Sequence, residues 1–373
     1  MYKEKANKEN NKTKLYVVMI IALYGIIAAA VIWKWGNSTL LGSLETFNND
    51  DAKYIRSAWT LMETGVLTYE NPSIPTAYIM PGLSYVLAAF FWLFGKVNGL
   101  FVFRIFQILI QCGSLYLIFL IAKKIFNEKV ALIACILDAV YMVEIYVASL
   151  ILMESMVKFL FLLLIYISIH AIEKNKLKLY AAAGVVWSLL CMFRPPLAAY
   201  PLIILIIWIK NKYSIKDIMK YTSLVFIIFC CIMSPWWIRN YREFNKFIPF
   251  TASSGNPFLQ GTFINYDQSG GFGVEYREGD NFLEKNKNEM DMGIDRLKKY
   301  ASKEPIKYFL WYTIGKTYHL WNKPFYWENS IGLILAGAVH YIVLLTAVLG
   351  IIQYYKNKHR KNIGASLLFQ PLC

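Results

Sequence analysis

The sequence predicts an all-α polytopic membrane protein, a transmembrane helix bundle of about eight or nine spans, on two observations. First, hydrophobic residues make up 57% of the chain and charged residues 17%, gathered in runs too long for a soluble core. Second, 39 Lys and Arg against 24 Asp and Glu leave a net charge of +15. Those basic residues sit in short loops between apolar runs, as topology signals do. They form no stripe that would track a nucleic acid, so that partner class is excluded. The cysteines, among them Cys112, Cys135, Cys191 and Cys230, fall mostly inside apolar runs with no Cys-x-x-Cys spacing. They read as small core residues and not as a disulfide framework or zinc site.

Residues 1–14 form a basic N-terminus carrying Lys3, Lys5, Lys8, Lys12 and Lys14, and Leu15–Trp33 is the first span. Its apolar run exceeds that of a cleaved signal, so it reads as a retained anchor. The transmembrane domain extends over 15–355. Further spans are expected at Phe101–Ala122, Val130–Ala148, Leu150–Ile172, Leu179–Phe193, Leu197–Ile209, Tyr221–Trp236 and Ile331–Tyr354. Short Lys-rich loops follow: Lys123, Lys124 and Lys129, then Lys174, Lys176 and Lys178, then Lys210, Lys212, Lys216 and Lys220. With these loops and the N-terminus in the cytoplasm, the positive-inside rule holds throughout. Met80–Gly95 is then a helix at or dipping into the outer interface, so the first outside loop carries interfacial helices. The competing reading makes it a ninth span and inverts every later loop. Two large outside loops result, at about 34–99 and 237–329. The second is rich in aromatic residues, including Trp311, Tyr312, Trp321, Phe325, Tyr326 and Trp327. Most of these read as an interfacial belt, the remainder as a groove for a lipid tail or a sugar. Residues 356–373 form a basic tail that ends in what looks like the start of another span cut short.

The acidic pair Asp50-Asp51 stands about a dozen residues beyond the first span, at the membrane surface. Carboxylates there can take a proton from an attacking hydroxyl or hold a metal. Glu154, Arg194 and Arg239 fall at the outer ends of other spans, so two arginines and three carboxylates converge on one face. Arginine suits a phosphate, because its planar fork donates two hydrogen bonds at once; each arginine alone is equally compatible with snorkelling to headgroups. Glu144 lies near an outer end, while Asp138 lies deeper and is expected to be paired. No two histidines have a metal-ligand spacing, and there is no Ser-His-Asp signature.

Four passages together resemble the integral-membrane GT-C glycosyltransferases, in the bacterial branch related to protein O-mannosyltransferases and lipid A aminoarabinose transferase. They are Asp50-Asp51-Ala52-Lys53-Tyr54 with Met80-Pro81-Gly82-Leu83, then Leu152-Met153-Glu154-Ser155, then Arg194-Pro195. The last is Pro235-Trp236-Trp237-Ile238-Arg239-Asn240-Tyr241 with Asn256 and Gly261 beyond it. The resemblance covers roughly residues 15–355, and it implies a GT-C-like bundle. It implies transfer of a sugar from a polyprenyl-phosphate donor to a glycan, lipid or protein acceptor, with inversion, outside the bacterial plasma membrane. It casts Asp50 as the base and Asp51 as an orienting or metal-contacting acid. Lys53, Arg194 and Arg239 become donor-phosphate ligands, and Tyr54, Glu154 and Asn240 position acceptor or sugar. It fixes no cofactor, and a divalent metal is allowed. Against this stand a transporter or flippase of lipid-linked intermediates, and an inactive shortened remnant. The absence of internal repeats and broken midplane helices in the sequence argues against the transporter.

Overall fold

The computed structural model describes residues 2–322 and 331–356, and every regular element among them is helical. The tail beyond Lys356 and the aromatic residues Phe325, Tyr326 and Trp327 lie outside the described residues. The first helix, α1 (Tyr2–Trp35), carries Val18, Leu23 and Ile26 largely exposed, as a helix facing hydrocarbon does. Its other side packs Val17, Tyr24, Ala28 and Ile32 against Ile108, Leu115 and Phe119 of α4 (Lys96–Ile125). Between them come α2 (Asp50–Thr64) and α3 (Gly82–Phe94).

Asn49 caps α2 by accepting from the Asp50 amide, and Gly65, in the left-handed region at φ 74°, ends it. At 13 residues, α3 is about 20 Å long, short of the ~30 Å hydrocarbon layer, and falls below spanning length. It buries Leu83, Leu87 and Phe91 against α2 and α4. Pro81-Gly82 is explained by closeness. The Gly82 amide donates to the Met192 carbonyl at 3.0 Å, and a Cβ on Gly82 would lie 2.6 Å from that oxygen.

The expected span Val130–Ala148 is broken into α5 (Glu128–Ala139) and α6 (Met142–Ser149), bent by 55°. Then follow α7 (Glu154–Lys174), α8 (Leu177–Cys191), α9 (Tyr200–Lys210) and α10 (Ile215–Phe244). Five helices reach spanning length and apolarity, six if the bent pair counts as one; α8 and α9 stay below it. The 8–9 spans expected from the sequence thus include two short helices, because Arg194-Pro195-Pro196 interrupts the apolar run between them.

The expected boundary at Trp236 also moves. Helix α10 continues through Pro235 to Phe244, so Arg239 and Asn240 are helical and the second loop begins at Asn245. Proline cannot donate to the Cys231 carbonyl one turn back; the Ser234 hydroxyl donates to it instead, at 3.0 Å. Beyond α10 the chain forms α11 (Gly255–Gly261), α12 (Phe282–Arg296), α13 (Pro305–Leu310) and α14 (Lys316–Trp321). They surround a small core of Leu259, Phe263 and Met292 before the last apolar helix, α15 (Ile331–Lys356).

The main core joins α7, α8 and α10 through Leu164, Leu190, Trp187 and Phe229. The Lys-rich helix ends share one end of the bundle, where Lys124 pairs with Glu173 and Lys123 with Glu128. The ends that carry the expected site meet at the other.

Candidate active site

At this second end, α2 presents its N-terminus. Asp50, its first residue, is exposed, and its Oδ1 accepts a 2.8 Å hydrogen bond from the Tyr69 hydroxyl. Asp51 is fully buried. Its carboxylate accepts from the Leu41 amide at 2.6 Å, the Gly42 amide at 3.0 Å and its neighbour Ala52 at 2.7 Å. The geometry therefore makes Asp51 a staple that folds residues 40–49 back onto α2. Its oxygens are committed to backbone donors, which leaves Asp50 as the acid of the pair that faces outward.

Lys53, one turn along, is bound to Glu70 at 2.8 Å beside the Tyr69 ring. Arg56 donates to the Tyr69 and Glu70 carbonyls at 2.8 and 2.9 Å, which fixes the strand of chain that delivers the Tyr69 hydroxyl. Tyr54 is buried with its ring 5.2 Å from that of Tyr69. Burial raises the Tyr54 phenol far above its ordinary range. Asp50 and Glu154 push it further the same way, and Arg194 opposes them. Tyr54 and Tyr69 share a buried cluster with Met156 and Phe193, which brings the start of α2 to the same end of the bundle as the segments that carry Glu154 and Arg194.

Glu154 opens α7, and Arg194 follows α8; both are exposed and border a cavity of about 380 Å³. Glu144 of α6 and Lys158 of α7 complete its charged lining, with Val147, Met153 and Val157 as the apolar walls. Lys158 bridges Glu144 at 3.1 Å and Asp138 at 2.9 Å, which supplies the partner expected for Asp138. Among the described residues Arg194 makes no ion pair, so its fork is open to a ligand.

Arg239 and Asn240 are brought near but are occupied otherwise. Arg239 donates to the Thr76 carbonyl at 2.6 Å and the Leu67 carbonyl at 3.3 Å, which latches residues 66–77 to α10. Asn240 is fully buried, accepts from Arg239 at 3.0 Å and donates to the Ile248 carbonyl at 3.0 Å. The donor set does not fit a protein-held metal. Asp51 has no free oxygen, and no three His, Cys, Asp or Glu side chains among the described residues group closely enough to hold an ion.

Sequence reasoning missed Tyr69, Lys158 and a row on α4. Arg104, Gln107 and Gln111 lie on one face of that helix. Arg104 donates to the Ser149 carbonyl at 2.9 Å, Gln107 to the Ala148 and Leu150 carbonyls, and Gln111 to Glu144 at 2.9 Å. These bonds satisfy the backbone freed where the chain leaves helix between α6 and α7. The signal was available: an arginine and two glutamines at helical spacing inside an apolar run.

Residues 75–238 match the family described as dolichyl-phosphate-mannose-protein mannosyltransferase. That family is of the GT-C glycosyltransferase type, and the match spans under half of the chain. Its family implies a multi-pass membrane glycosyltransferase that uses a lipid-linked sugar donor, in agreement with the resemblance carried by the four passages. No curated protein matches the chain. The match takes in the Pro81-Gly82 contact, Glu154, Lys158 and Arg194; Asp50 and Tyr54 lie before it, and Arg239 and Asn240 just after.

Proposed function

We propose that the chain moves a sugar from a polyprenyl-phosphate donor to a hydroxyl of a glycan, lipid or protein acceptor, with inversion, on the outer face of a bacterial plasma membrane. The observation that carries this is Asp50. It is an exposed carboxylate held at one oxygen by Tyr69, at the end of the bundle where Glu154 and Arg194 border one charged cavity. Asp50 Oδ2 takes the acceptor proton while the acceptor oxygen bonds the anomeric carbon from the side opposite the phosphate. The bond from that carbon to the phosphate oxygen breaks, and the lipid phosphate leaves with the electron pair. Arg194 contacts that phosphate through two N–H groups. Glu154 and Tyr54 position the sugar. Arg239 acts indirectly, by latching the segment that ends at Thr76. The outer placement is supported by the Lys-rich helix ends at the opposite end of the bundle.

The test is Asp50→Asn, assayed in membranes by release of polyprenyl phosphate from a polyprenyl-phosphate hexose in the presence of envelope glycan. A general base contributes about 10²–10⁴-fold, so release should fall at least about a hundredfold. The thermal midpoint should match that of wild type, since Asp50 supports no backbone group beyond its own helix. Release near the wild-type rate from a folded variant would remove Asp50 as the base.

A further inference from the structure

The second loop holds a groove of about 490 Å³ that the transfer chemistry does not use. Its lining is Gln260, Asn265, Tyr266, Gln268, His319 and Leu320. In a chain of net charge +15 this lining contains no Lys, Arg, Asp or Glu. Three amides each offer both donors and acceptors, an aromatic ring stands among them, and Leu320 is the one aliphatic residue. A phosphate would require cations and a lipid tail apolar walls. Hydroxyl groups alternating with C–H faces, the surface of a neutral sugar, match amides interleaved with rings.

The groove is built on a fixed floor. Trp311 Nε1 donates to the Gly261 carbonyl at 3.0 Å, the Tyr308 hydroxyl to the Thr262 carbonyl at 3.2 Å, and Arg296 Nε to the Thr262 hydroxyl at 2.9 Å. Above it the chain turns through two successive left-handed residues, Asn265 and Tyr266, each at φ 57°. Tyrosine rarely adopts that region, and such backbone persists where the surroundings and a function hold it. The turn leaves the Tyr266 ring 42% exposed while its edge contacts Trp311 at 5.2 Å and His319 at 5.7 Å.

The groove is tied to the loop that leads to the candidate active site. Gln260 donates to Asn256 at 2.9 Å, and Asn256 donates to Glu289 at 3.0 Å. The Ala252 amide, at the start of the same loop, donates to the Ala77 carbonyl at 2.8 Å and so joins it to the end of the segment that carries Tyr69. We propose that this groove binds the uncharged sugar residues of a glycan acceptor, whose reactive hydroxyl then reaches Asp50. Naming the occupant an acceptor rests on the transferase reading; binding of a neutral oligosaccharide by the groove does not.

The test uses the full chain in nanodiscs, free of sugar-based detergent, and calorimetric titration with two neutral probes, N-acetylchitotetraose and maltotetraose. A trimer of glycerol phosphate serves as the charged comparison. At least one neutral tetrasaccharide should bind saturably, and the glycerol phosphate trimer should not. Tyr266→Ala and Gln260→Ala should each weaken binding at least about tenfold, the equivalent of 1.4 kcal/mol. Tyr266→Phe, which keeps the ring and reports on folding, should bind as wild type, and Asp50→Asn should bind unchanged. Absence of saturable binding by either neutral probe at millimolar concentration overturns the proposal, as does binding that survives both alanine substitutions or a preference for the phosphate trimer. A silent groove alongside a dead Asp50→Asn variant removes this inference alone. A binding groove alongside an active Asp50→Asn variant removes the proposed base and leaves the groove.

Discussion

Asp51→Ala separates a structural acid from a chemical one at the next residue. The Asp51 carboxylate is fully buried and receives the Leu41 and Gly42 amides at 2.6 and 3.0 Å. A hydrogen bond to a charged group contributes about 1.5–3 kcal/mol, so losing two removes about 3–6 kcal/mol and strands both N–H groups. Globular proteins unfold with about 2.1 cal/mol/K of entropy per residue, which over 373 residues is roughly 0.8 kcal/mol/K. A loss of about 4 kcal/mol therefore lowers the midpoint by roughly 5 °C. The assay is thermal unfolding in detergent, followed by tryptophan fluorescence beside wild type and Asp50→Asn. Asp51→Ala should melt early, Asp51→Asn should recover part of the loss through its remaining carbonyl oxygen, and Asp50→Asn should melt with wild type. An Asp51→Ala protein that melts with wild type but transfers no sugar would refute the staple and make Asp51 a member of the catalytic apparatus.

Gly82→Ala should destabilise by about 1–3 kcal/mol, because its new Cβ would sit 2.6 Å from the Met192 carbonyl oxygen and force α3 away from α8; the same melting assay checks it, and an unchanged midpoint would mean that this contact relaxes freely. Lys158→Met should cost about 3–5 kcal/mol by leaving Asp138 and Glu144 without their shared cation. Pairing it with Asp138→Asn should restore part of that in the melting assay, whereas strictly additive losses would show that the ion cluster is not a unit.

The helical class and the gathering of the site at one end were legible because both follow from where apolar runs start and stop. Glu154 and Arg194 were found by that reasoning, and they do border one cavity. The division of labour within the site was not legible, since a carboxylate has the same chemistry as a staple and as a base. Only the return of Leu41 and Gly42, ten and nine residues back, decides that Asp51 is the staple. Tyr69 lies 19 residues from Asp50 and returns to it beyond the end of α2, through irregular chain whose path no periodicity encodes. Lys158 and Arg104 were overlooked because one charge scarcely lowers the apolarity of a long run, yet such a charge in a span calls for a partner. The extent of α10 was misjudged at Pro235, where Ser234 repairs the helix with a hydroxyl.

The fate of the cations constrains how a donor phosphate would be held. Lys53 is bound to Glu70, Lys158 lies between two carboxylates, and the Arg239 fork is spent on the Leu67 and Thr76 carbonyls. Among the described residues, Arg194 alone of these four has neither an ion pair nor a side-chain hydrogen bond, and it borders the charged cavity. On the proposed mechanism, direct phosphate contact therefore falls to Arg194, while the charge of Lys158 is taken up by Glu144 and Asp138. Loss of the Arg194 fork would remove contacts that strengthen as the phosphate departs with its charge. Loss of Arg239 would release the 66–77 segment that carries Tyr69, and with it the hydrogen bond that orients Asp50. On the proposed mechanism, the two arginines that looked equivalent in sequence serve opposite partners of the same reaction, one the leaving group and the other the base.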